Sequence, residues 1–223
     1  MFFLSNRTCR TGLSRFGKLT FPKSADSQFL KTADCDYSEI CRNKVTAYTQ
    51  AIAQRAHEGG LKEAEIKSLL NQYCIAYSVV PKLEKTPIDA ASMDMGDYPA
   101  IITTHRHNDM SRLIFNVLHE LGHIEKHMYG EEKEVFVSGE PYATDSPKEL
   151  EANEFAQSML ISQKLWDSMM NSGPVNGLRF GNIVSKLRDL SKEHNLDFNL
   201  VVWRWKYESH IYKLKGAKPV PIQ

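Results

Sequence analysis

The chain has little that would place it in a membrane, on nucleic acid or among disulfide-stapled secreted domains. Nowhere in its 223 residues does an apolar run approach the roughly 20 residues that cross a bilayer. The formal net charge is only +1, so there is no bulk attraction to nucleic acid or to an anionic lipid surface. Its four cysteines are Cys9, Cys35, Cys41 and Cys74, with no Cys-x-x-Cys pair and none in the second half of the chain. A disulfide framework or a cysteine zinc site needs tighter clustering, so reduced thiols in a cytoplasmic protein are expected. Internal repeats and low-complexity tracts are absent. The start, Met1-Phe2-Phe3-Leu4, turns polar at once and lacks the apolar stretch of a secretory signal. Residues 1–24 carry Arg7, Arg10, Arg15, Lys18 and Lys23 and no acid, which reads as a basic tail rather than a transit peptide.

What is present suits a soluble enzyme-sized domain. A hydrophobic fraction of 42% is enough for a real core. Residues 1–36 read as an irregular N-terminal extension, 37–215 as one folded domain and 216–223 as a frayed tail. Apolar spacing predicts helices over about 37–56 and 62–73. The β-prone run Ile75-Ala76-Tyr77-Ser78-Val79-Val80 ends at Pro81 and predicts a strand, followed by a loop rich in Asp, Met and Gly. Residues 98–104 predict a second strand, and Pro99 near its start suits a sheet edge. A third, short strand is expected at 134–137.

Asn108 and Asp109 are credible caps for a helix over about 110–127 that is apolar on nearly every side, hence buried. Ser146-Pro147 opens a helix to about 161. Two more helices are expected at 178–194 and 198–212. The fold class is therefore α+β in a zincin-like layout: helices packed on a small, mostly antiparallel sheet, with a helical C-terminal part.

The chemistry concentrates in His119-Glu120-Leu121-Gly122-His123. Four residues apart on a helix, the two histidines stack on one face and can converge on one ion. Glu120 projects about 100° away, where its carboxylate suits the role of general base. The bland alternative is a pair of core histidines held by hydrogen bonds. A catalytic zinc needs a third protein ligand. The three-histidine solution requires Gly and His where this chain has Lys126 and Tyr129, which excludes it.

A downstream Glu remains, and the run from Lys148 to Ala156 offers Glu149, Glu151 and Glu154. Relative to the apolar face of Ala152, Phe155, Ala156, Met159 and Leu160, Glu149 lies roughly 50° from its centre, Glu151 roughly 110°, and Glu154 nearly opposite. Glu149 is thus the favoured metal ligand and Glu151 the fallback. The competing role for Glu149 is a capping box with Ser146. Asn153, one turn on, is placed to orient a ligating histidine through its second nitrogen.

These paired motifs, His119-Glu120-Leu121-Gly122-His123 and Glu149-Leu150-Glu151-Ala152-Asn153-Glu154-Phe155-Ala156, resemble those of the ImmA/IrrE family of metallopeptidases over about residues 60–165. The resemblance implies Zn2+ held by His119, His123 and Glu149, with Glu120 as the catalytic general base. It also implies a bacterial or phage-encoded cytoplasmic protease whose substrate is a DNA-binding helix-turn-helix repressor. Where the family often has phenylalanine-threonine before the motif, this chain has Ile114-Phe115-Asn116-Val117.

Other residues weigh less. His127 reads as a solvated helix-end histidine, and His105 and His107 as ordinary loop histidines. Tyr142, His107 and His127 are the candidates for stabilising an oxyanion. Strand 98–104, if its edge is free, is a candidate for pairing with an extended peptide. The basic and aromatic residues of the last two helices, including Trp203 and Trp205, are diluted by acids. They are expected in the core or against a partner rather than on nucleic acid.

Overall fold

The computed structural model describes residues 44–82, 87–95, 98–128, 135–139, 146–171 and 180–223. Helix α1 (Val45–His57) buries Val45, Tyr48, Thr49, Ile52, Ala53 and Ala56, the stripe its apolar spacing dictates. Positions 37–43 of the helix expected there lie outside the described residues. Helix α2 (Glu63–Gln72) buries Ile66 and Leu70 and hands the chain to the sheet through Cys74, whose φ of 60° makes the reversal. Cys74 is disulfide-bonded, which corrects the expectation of reduced thiols. Disulfides persist mainly in oxidising compartments, so the cysteines no longer argue for a cytoplasmic protein.

The sheet consists of β1 (Ala76–Val80), β2 (Ile88–Asp94), β3 (Pro99–Thr104) and β4 (Val135–Gly139) in the order β1-β3-β2-β4. β1 runs parallel to β3, while β2 is antiparallel to both β3 and β4. Two expectations are overturned. β2 occupies the stretch read as loop. Its sequence, Ile-Asp-Ala-Ala-Ser-Met-Asp, has weak strand propensity, yet its first six residues are buried. Pairing on both sides and buried partners for Asp89 and Ser92 outweigh that propensity. β3 is interior, not an edge: all six of its residues are buried and it pairs with β1 and β2. Pro99 is tolerated because it stands at the first position.

Helix α3 (Met110–Lys126) runs through the centre. Asp109 caps it by accepting from the Ser111 amide, and every residue from Met110 to Ile124 is buried. Helix α4 (Pro147–Leu160) crosses it, with Ala152, Asn153, Phe155, Ala156 and Leu160 inward. Helix α5 (Gln163–Asn171) was not foreseen. Arg204, 1% exposed, ties it to helix α7 (Phe198–Ser209) through Gln163 and the Ile161 carbonyl. Helix α6 (Phe180–Glu193) precedes α7. Trp203 and Trp205 are both in the core.

The C-terminal segment is docked rather than frayed. The Met110 and Glu63 amides donate to the Val220 and Gln223 carbonyls at 2.7 and 3.0 Å, and the Ile222 amide donates to Asn108 Oδ1 at 2.9 Å. The first amides of α3 and α2 need acceptors from outside their helices, and the tail supplies them. Among the described residues no helix is long and apolar enough to cross a membrane.

Candidate metal centre

Helical spacing puts His119 and His123 on one face of α3, with their Nε2 atoms 3.0 Å apart. Helix α4 crosses at Gly122, where a methyl group would sit 3.1 Å from the Ala152 Cα and from the Phe155 ring. That close crossing delivers Glu149 to the histidines. Its two carboxylate oxygens lie 3.2 Å from His119 Nε2 and 3.2 Å from His123 Nε2. Among the described residues these three are the cluster whose donor atoms converge as a metal site requires. Tetrahedral zinc with ligand bonds of about 2.0–2.1 Å sets its donors about 3.3–3.4 Å apart, close to the spacing here. Two neutral imidazoles and one carboxylate are also a donor set that zinc accepts.

The capping-box role for Glu149 is not realised, since Ser146 makes no side-chain cap bond. Glu151 points elsewhere: it is exposed and bonds His127 Nε2 through Oε2 at 3.0 Å. His127 is therefore not the solvated residue expected, because its ring bridges Glu151 and His123.

The supporting contacts dictate which ring nitrogens carry protons. His119 Nδ1–H donates to Asn153 Oδ1 at 2.9 Å, leaving Nε2 as a lone pair aimed at the shared point. His123 Nδ1 and His127 Nδ1 are 3.1 Å apart. If His123 donates there, His127 accepts at Nδ1 and donates from Nε2 to Glu151, and His123 Nε2 is also left as a lone pair. Phe136 of β4 stacks on His123 at 4.2 Å and fixes the ring plane.

Charges shift accordingly. Burial alone would raise the Glu149 carboxyl, but the hydrogen bonds and charge of His119 and His123 outweigh it and pull the value down to about 2. For His119, burial acts downward, yet Glu149 and Glu120 raise it above the usual 6.5. His127 is lowered, chiefly by burial and by His123.

Glu120 is fully buried. Ser92 of β2 donates to its Oε2 at 2.6 Å and Ser138 of β4 to its Oε1 at 2.5 Å. Neither serine was anticipated. Both lie in strands that meet α3 only through the tertiary fold, and no local pattern marks them.

Of the oxyanion candidates, Tyr142 lies outside the described residues. His107 faces Asp89 at 3.9 Å, and His105 bonds Glu63 at 2.9 Å, as loop histidines would. Tyr207 of α7 is a candidate that sequence reasoning missed. Its ring packs on Phe115 at 5.1 Å, beside His119, and burial and the nearby Tyr212 and Glu149 charges raise its phenol above the ordinary range.

Residues 79–173, from the end of β1 past the end of α5, match the Peptidase_M78 model, described as the IrrE N-terminal-like domain. No curated protein matches the chain.

Proposed function

We propose, from the premise that residues 79–173 belong to the IrrE N-terminal-like peptidase family, that the protein is a zinc-dependent endopeptidase. The observation that carries the reading is the convergence of His119, His123 and Glu149 at 3.0–3.2 Å on helices whose other contacts hold the histidine lone pairs toward one point. Those three residues would hold Zn2+. When bound, the ion supplies Lewis acidity that activates a water and polarises a peptide carbonyl.

The chain's own residues supply the rest. The Glu120 carboxylate, the nearest acid on α3, takes the proton of the attacking water and passes it to the leaving nitrogen. Ser92 and Ser138 each occupy one of its oxygens, so its position is held from two strands while each oxygen keeps a second lone pair. Because β3 is interior, an extended peptide would align on β4, which among the described residues pairs with β2 alone and carries Phe136 and Ser138 at the site.

The proposed substrate is a DNA-binding helix-turn-helix repressor of a bacterial or phage system, met in the cytoplasm. The Cys74 disulfide is the observation that weighs against that compartment. A second reading is a regulatory module that keeps the metal and docks its partner without cleavage. The complete enclosure of Glu120 favours it.

Glu120→Gln separates the two. The endopeptidase reading expects a metal-loaded variant that hydrolyses a peptide library at least a hundredfold more slowly than wild type. Equal hydrolysis by variant and wild type, or none by zinc-loaded wild type, would overturn it.

A further inference from the structure

A cavity of about 520 Å³ lies away from the metal centre. It lies at the N-terminal end of α3, between the loop that enters that helix, α7 and the docked C-terminal segment. None of the metal-centre residues lines it. Such a volume falls within the range of small-molecule sites, roughly 300–1,000 Å³, and exceeds what a bare ion fills.

Its walls are cationic. Arg106, Arg112, Lys206 and Lys213 line it, against the single lining acid Asp109. Behind the two arginines, the buried Asp89 accepts from Arg112 Nη2 at 2.5 Å and from Arg106 Nη1 at 3.4 Å, so one carboxylate serves two guanidiniums. Four cations therefore line the cavity, two of them sharing Asp89.

Lys206 is the sharper observation. It is only 9% exposed, and among the described residues it has neither an ion pair nor a hydrogen bond. Burial lowers its pKa, and Asp109 is the charge acting the other way. Its ammonium is half-buried and lines the cavity, where Asp109 is the lining acid, and an anion there would complete its pairing. Trp203, 4% exposed and also on the wall, carries an indole Nε1–H with no acceptor, where buried indoles usually find one. Three separate chain segments build this wall, and the bonds Met110 N–Val220 O and Ile222 N–Asn108 Oδ1 tie the C-terminal one to the start of α3.

We infer that this cavity is a second ligand site, separate from the metal centre, that takes a small molecule through its phosphoryl group. Guanidinium forks and an ammonium suit the several oxygens of a phosphate better than a single carboxylate. The site stands whether or not the chain cleaves peptides.

The test is titration calorimetry on the full chain with inorganic phosphate and with adenosine monophosphate, chloride at matched ionic strength serving as the control. Saturable binding of at least one phosphate probe is expected, with none for chloride. Lys206→Met should weaken it at least tenfold, and Lys206→Arg should largely restore it. Lys213→Ala, on an exposed side chain that carries no folding burden, should weaken it severalfold. Glu149→Ala should leave it unchanged. The inference fails if neither probe saturates, if neither lysine variant weakens binding, or if Glu149→Ala abolishes it, which would place the anion at the metal centre.

Discussion

Ser138 Oγ donates to Glu120 Oε1 at 2.5 Å, so β4 holds the one acid of the His119–His123 motif. Ser92 completes the grip from β2. A carboxylate this buried depends on such donors for its position, and removing one leaves an oxygen without compensation. Ser138→Ala should lower kcat about tenfold and stability by about 1–3 kcal/mol, with metal content and KM little changed. Steady-state kinetics beside metal analysis checks this. A fall in metal content of the same size would mean the serine supports the fold rather than the acid.

Glu149 and Glu151 differ in what they touch, and metal analysis should separate them. Glu149→Ala removes a ligand and should leave the purified protein with little or no zinc. Glu151→Ala removes only the partner of His127, so zinc should remain, bound about 10–100-fold more weakly. Equal zinc in wild type and both variants would remove Glu149 from the ligand set.

Gly122→Ala sets two effects against each other. Alanine favours a helix interior by about 1 kcal/mol over glycine. The added methyl would meet the backbone of Ala152 at 3.1 Å, and backbone yields less readily than a flexible side chain. The expected outcome is a net stability change within about 1 kcal/mol but a several-fold loss of zinc affinity, as α4 and Glu149 are pushed outward. Thermal melts and a competitive zinc titration read the two terms separately.

The metal-free protein should show a pH signature of the same cluster. The Glu149 carboxyl sits at about 2 against an ordinary 4.5, so its stabilisation is complete above about 4.5 and fades as pH falls toward 2. His119 sits above 6.5, so its stabilisation is complete below 6.5 and is lost as pH rises through the raised value. Together they favour the metal-free fold most between pH 4.5 and 6.5. Glu149→Gln should flatten that maximum in melts taken across pH after chelation. Added zinc, which needs deprotonated imidazoles, should stabilise more as pH rises.

The sequence by itself determined the helices that carry the chemistry and the face each presents. Helical period alone stacks His119 over His123 and turns Glu149 rather than Glu151 toward the core; one donor atom from each of His119, His123 and Glu149 lies within 4.8 Å of the others. Apolar patterning likewise marked α3 as the buried helix.

Only the tertiary structure decided the rest. β2 became a central strand against its local preference because its neighbours bury it on both sides, and that moved β3 from the edge to the interior. The same long-range pairing chose Ser92 and Ser138 as the partners of Glu120. It also joined His127 to Glu151 and drew the C-terminal segment onto α2 and α3. Periodicity reads which way one element faces. It carries no record of which distant element will meet that face, because those contacts are settled by packing and by the need to satisfy buried polar groups.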